Sequence, residues 1–159
     1  MQQLPRDEAY RRCVAAPPGR VLVKADYSQI ELRIAAVISG DRALLDAYEG
    51  GADVHRQTAQ RVLGKEDVTR DDRQLAKALN FGLLYGMGKD RFRENARAEY
   101  GVALSDEQAE AYRSAFFRAY PGLRAWHRRT GQTGERPLDT RTLAGRRRLG
   151  ITSVRSVFD

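Results

Sequence analysis

Cysteine is all but missing from this chain of 159 residues: Cys13 stands alone, which excludes an intramolecular disulfide and a cysteine-based metal cluster. A reducing, cytoplasmic setting suits that composition best. Long apolar runs are missing too. The N-terminal MQQLPRDEAYRRC has no apolar core of the kind a secretory signal needs, and no window approaches the length required to span a bilayer. The expectation is a soluble protein with no membrane partner. Lysine is scarce, confined to Lys24, Lys65, Lys77 and Lys89, so the formal charge of +7 and the pI near 9.9 are carried almost entirely by arginine. That balance suits a phosphate-rich partner, and it also follows from genomic base composition. With 42% hydrophobic residues the chain can build one modest core.

The most informative stretch is DDRQLAKALNFGLLYGMG, Asp71 to Gly88. Arg73, Lys77, Phe81 and Tyr85 recur every fourth residue and form one slowly drifting stripe on a helix face, two cations followed by two rings. Thr69 or Asp71 can cap the helix, Asp71 and Asp72 suit its positive end, and Gly86 and Gly88 end it. A nucleoside triphosphate lying along this face would meet cations at its phosphates and a ring at its base. From Arg73 to Tyr85 the stripe runs roughly 18 Å at about 1.5 Å per residue, enough to reach past the base to a template neighbour. The alternative is a surface helix with core aromatics and solvated cations.

Upstream, RVLVKADYSQIELRIAAVISGD changes period: Val21, Leu22, Val23 and Ala25 suit a buried strand, whereas Ile30, Ile34, Val37 and Ile38 recur at helical spacing. Asp26 then ends the strand, where a carboxylate beside main-chain carbonyls can bind a hard cation such as Mg2+, or where Asp26 or Ser28 simply caps the next helix. Residues 1–19 read as loop with a short extended piece at 11–14. Helical patterns follow at 41–48, from Asp53 onward, and over 89–130, where Ser105 offers a cap and Ala109, Tyr112, Phe116 and Tyr120 give an apolar stripe. Arg146, Arg147 and Arg148 read as a solvated turn or a phosphate-backbone contact.

The string R-x-x-x-K-x-x-x-F-x-x-x-Y-G, with Asn80 before the Phe and Gly82 after it, resembles the O-helix motif of family A DNA polymerases, the bacterial DNA polymerase I type. DYSQIELR, Asp26 to Arg33, is similar to the family's motif A. Asp53-Val54-His55 with Thr58-Ala59 is similar to its D-I-H-x-x-T-A segment. Tyr120-Pro121 and Thr142-Leu143-Ala144-Gly145-Arg146-Arg147-Arg148 match further elements in order.

The resemblance implies a mainly α chain with a small β part, a helical fingers subdomain attached to a partial palm. The divisions would be 1–40 for the palm part with motif A, 41–135 for the fingers including 71–88, and 136–159 for the return to the palm. It implies template-directed nucleotidyl transfer, with a DNA primer-template and deoxynucleoside triphosphates as partners. Asp26 and the Tyr27 carbonyl would be metal ligands of a two-Mg2+ site only partly supplied here. Glu31, beside Gln29, would exclude a ribose 2′-hydroxyl. His55, Arg73 and Lys77 would face the triphosphate, with Lys77 also catalytic, while Phe81 would stack on the base and Tyr85 guard the template. Arg146, Arg147 and Arg148 would lie along the nucleic-acid backbone.

Motif C, a His-Asp-Glu hairpin, is expected beyond Arg148, and neither His55 nor His127 is followed by Asp-Glu. A second polypeptide supplying it is one expectation. The alternatives are a non-catalytic basic DNA-binding module, or a single-subunit RNA polymerase relative, against which Glu31 and Phe81 argue.

Overall fold

A computed structural model describes residues 8–131, 138–142 and 144–151. The elements are α1 (Glu8–Arg12), α2 (Ile30–Ser39), α3 (Arg42–Glu49), α4 (Val54–Leu63), α5 (Arg70–Leu84), α6 (Lys89–Tyr100), α7 (Asp106–Ala119), α8 (Pro121–Gly131), β1 (Leu138–Arg141) and β2 (Arg147–Ile151). The mainly helical expectation holds. Helix α5 is the hub, packing on α6, α4, α2 and α7, while α7 also meets α4, α6 and α8.

Local chemistry sets the ends of α5. Thr69 Oγ1 accepts from the Asp72 amide at 3.2 Å and Asp72 Oδ2 accepts from the Thr69 amide at 2.9 Å, a reciprocal cap. Lys65 binds Asp72 at 2.7 Å, and with Thr69 holds its carboxyl down at about 2. At the other end Gly86 takes φ +68°, which no side chain adopts easily, and the chain turns into α6. Gly82 lets that neighbour approach closely, since a Cβ there would sit 3.1 Å from the Phe92 ring. Ser105 caps α7 in the same reciprocal way as Thr69 caps α5.

The core gathers Leu75, Leu79 and Leu83 of α5 with Leu44, Val54, Phe92, Phe116, Tyr120 and Leu123. Of the expected α7 stripe, Ala109, Phe116 and Tyr120 are buried and Tyr112 is half-buried. Asp41, 1% exposed, ties the starts of two helices together. Its Oδ1 accepts from the Leu44 amide at 3.2 Å at the start of α3, and its Oδ2 accepts from Gly122 and Leu123 at 2.8 and 3.2 Å at the start of α8. Pro121 opens α8, where its missing N–H is no loss.

Two expectations are corrected. Val21, Leu22 and Val23 form no strand and are 83%, 60% and 85% exposed, because a strand needs a ladder partner and the described sheet is only the β1–β2 hairpin. The β part lies instead at 138–151, antiparallel with Thr140 opposite Arg148 and Arg141 opposite Arg147. Residues 8–12 are helical, with Glu8 and Arg12 paired at 2.7 Å one turn apart, where loop was expected. The helix expected from the spacing of Ile30, Ile34, Val37 and Ile38 forms as α2; these side chains face outward, and the helix buries Leu32, Ala35, Ala36 and Ser39.

Replacing Asp41 by Ala leaves three amides at two helix starts without their acceptor, and the expected cost is about 3 kcal/mol. Urea unfolding measures it. A loss below about 1 kcal/mol would show that water substitutes freely for the carboxylate.

Candidate functional site

Helix α5 is buried on every side but one. From Leu75 to Leu84 only Lys77 and Phe81 escape burial, and Arg73 and Tyr85, both half-buried, extend the same line. The stripe expected from the spacing is therefore a single accessible edge on an otherwise enclosed helix. Its two cations are held differently. Arg73 Nε donates to Asp53 Oδ2 at 2.8 Å, whereas Lys77 has no ion-pair partner among the described residues. Asp53 serves twice, because its Oδ1 also caps α4, accepting from the His55 and Arg56 amides at 3.0 and 3.2 Å. Burial raises its carboxyl, but the Arg73 and main-chain bonds outweigh that and hold it below its ordinary value.

The start of α4 brings His55 up against this edge from the buried side. The ring is 3% exposed, its centroid lies 5.7 Å from that of Phe81, and Asn80 Nδ2 is 2.9 Å from its Nδ1. Burial lowers its pKa to about 4, with Arg73 and Lys77 acting in the same direction and Asp53 opposing. At neutral pH the imidazole is uncharged. Behind it, Thr58 Oγ1 donates a proton shared between the Val54 carbonyl at 2.8 Å and Asn80 Oδ1 at 3.0 Å, and it lies 2.8 Å from the Tyr120 hydroxyl.

A second cluster surrounds the start of α2. Gln29 is its N-cap in the left-handed region, at φ 54° and ψ 38°, the one non-glycine with positive φ among the described residues. Its side-chain Oε1 accepts from the Tyr48 hydroxyl at 3.2 Å, and the Arg33 guanidinium lies 4.3 Å from the centre of the Tyr48 ring. Burial pushes that hydroxyl up to about 12 despite the cation. Arg33 Nε also donates to the Ser28 carbonyl at 3.0 Å. Neither Asp26 nor Ser28 caps α2, so capping does not occupy the Asp26 carboxylate. Asp26 and Tyr27 are exposed, as is Glu31 in the first helical turn, whose charge helps burial raise the Tyr100 pKa.

Arg73, Lys77, His55 and Phe81 thus lie together, while Asp26, Tyr27, Gln29 and Glu31 lie at and just before the start of α2. No hydrogen bond or ion pair between described residues joins the two groups. Arg146, Arg147 and Arg148 are exposed on the hairpin, with Arg147 paired to Asp139 at 3.2 Å. Among the described residues no group of three or more His, Cys, Asp or Glu side chains comes together to hold a metal. Asp26 alone does not complete a divalent-cation site. No helix of the described residues is long and apolar enough to cross a membrane.

The family model for DNA polymerase family A matches residues 1–156. The chain is 42% identical over 151 residues to DNA polymerase I of Aquifex aeolicus, covering 92% of this chain and 26% of that protein. It is 39% identical over 146 residues to the thermostable DNA polymerase I of Thermus aquaticus, covering 91% of this chain and 17% of that one. Among solved structures, the POL domain of Pol1 from M. smegmatis in complex with DNA primer-template and dNTP superposes over 99% of this chain and 29% of its own, with a TM-score of 0.76 and 29% identity. The chain spans about a quarter or less of the length of these two curated relatives.

The depressed histidines give stability a defined pH dependence. Unfolded histidines take up protons below about 6.5, whereas native His55 and His127 stay neutral until about 4. The unfolded state then binds more protons, so stability falls as pH falls through this window. His55 alone is expected to account for about 2 kcal/mol between pH 7 and pH 5. Asp53 and Asp72, held low, lose their contributions at more acid pH. Urea unfolding at both pH values measures the slope, and His127→Gln should roughly halve it. A flat profile would mean that neither ring is kept neutral.

Proposed function

This chain belongs to DNA polymerase family A, and from that premise we propose that it provides the nucleotide-binding part of a template-directed DNA polymerase. The carrying observation is the accessible edge of α5, cation to ring, on a helix otherwise enclosed. Residues 41–135 are the fingers, 1–40 contribute part of the palm, and 136–159 begin the return to it. The partners are a DNA primer-template and a deoxynucleoside triphosphate, the kinds of molecule held by the M. smegmatis domain.

The reaction joins the primer 3′-oxygen to the α-phosphorus as the bond to pyrophosphate breaks. Charge builds on the phosphate oxygens, and Lys77, which has no ion-pair partner among the described residues, can meet it. Arg73 exchanges its Asp53 carboxylate for a phosphate oxygen, one anionic partner for another. His55 adds a neutral donor beside them. Phe81 offers its half-exposed ring to the base, and Tyr85 stands one turn on at the template position. Glu31 lies across the sugar edge next to Gln29, where an added 2′-hydroxyl would meet a carboxylate.

Asp26 and the Tyr27 carbonyl would hold part of a Mg2+ site, and the cation would there offset charge on the phosphate oxygens. Arg146, Arg147 and Arg148 contact backbone phosphates, strengthening binding without reading sequence.

The test is titration of the 159-residue chain with dATP by calorimetry. Lys77→Ala should weaken binding about tenfold or more, the loss of one charge-assisted contact. Unchanged affinity would remove the triphosphate from this edge.

A further inference from the structure

His55 packs against the accessible edge with only 3% of its own surface exposed, and what it can do there depends on which ring nitrogen carries the proton. A neutral imidazole has one donor and one acceptor nitrogen, and the partner of one decides the role of the other. Nδ1 faces Asn80 Nδ2 at 2.9 Å, and an amide nitrogen can only donate. Nδ1 is then the acceptor, which puts the proton on Nε2. The amide stands with Nδ2 toward the ring and Oδ1 toward Thr58 Oγ1, 3.0 Å away. Thr58 in turn meets the Tyr120 hydroxyl at 2.8 Å, so the chain of bonds runs through three helices without reaching solvent. Asn80 is fully buried.

No described residue bonds Nε2 of His55. Two cations of α5, Arg73 and Lys77, and the carboxylate of Asp53 on its own helix lie close enough to act on the ring. A donor placed beside two cations suits an anionic oxygen.

We propose that Asn80 is a positioning residue which fixes His55 as the Nε2–H tautomer, making it a hydrogen-bond donor for a phosphate oxygen of the nucleoside triphosphate. The phosphate part of this assignment rests on the function proposed above, whereas the tautomer does not. Asn80 touches no nucleotide; it acts through the ring.

Histidine-labelled 15N NMR of the chain at pH 7 reads the tautomer directly. His127 supplies an internal reference, because its Nε2 lies 3.1 Å from the Leu84 carbonyl, which can only accept. A His127→Gln sample assigns the remaining ring. The expected result is a protonated Nε2 and an unprotonated Nδ1 at His55. The opposite pattern would mean that the amide is turned around, and would overturn the proposal without any variant of Asn80 having to fold.

Titration with dATP supplies the second readout. Asn80→Leu and His55→Ala should each weaken binding about tenfold, and the double variant should be no weaker than either alone. Additive losses would overturn the action of Asn80 through His55. Failure of the parent chain to bind dATP would overturn the phosphate assignment and the proposed function, while the NMR pattern still decides the tautomer.

Discussion

One hydroxyl oxygen holds the three central helices in register. Thr58 Oγ1 of α4 meets Asn80 of α5 and Tyr120 at the end of α7, all within 3.0 Å and all essentially without access to water. Each of these groups, left alone in the core, would cost about 1 to 3 kcal/mol in lost hydration, so sliding any one helix by a residue would strand several at once. Apolar packing alone tolerates such slips far better. With Asn80 fixed inward, the rotation of α5 about its axis is fixed too. Lys77 and Phe81, three residues before and one after Asn80, are then left on the accessible side.

The same geometry explains the electrical character of the face. Arg73 arrives already neutralised by Asp53, Lys77 has no ion-pair partner among the described residues, and His55 is kept uncharged by burial and by those same cations. The face therefore has one strong centre of positive charge, flanked by a guanidinium whose direction is set in advance and a ring whose charge does not change near neutrality. Such preorganisation lowers the ordering cost of binding.

What could be read from residues alone was what is local. The fourfold spacing of Arg73, Lys77, Phe81 and Tyr85, the Thr69 and Ser105 caps, and the helix after Asp53 depend on neighbours within a turn or two, and these appear where expected. The helical period of α2 was legible but not which face it buries, because Ala35 and Ala36 give close helix contact while the larger Ile side chains stay outside. The strand at 21–25 failed for the complementary reason: ladder hydrogen bonds need a partner that no local pattern supplies. In the site, the Arg73–Asp53 and Tyr48–Gln29 bonds join residues 20 and 19 positions apart and left no mark in the periodicity. Tyr120 read only as an apolar residue, and its hydroxyl's role at Thr58 came from a separation of 62.

The left-handed turn at Gln29 sets stability against precision. A side chain in that conformation costs about 1 to 2 kcal/mol relative to what glycine would pay, so selection for robustness alone would favour glycine there. Glycine would also delete the amide that Tyr48 grips and free the segment leading back to Asp26. Laboratory evolution toward heat resistance would thus find an easy gain at this position, and would make it at the expense of how firmly the entry to α2 is aimed.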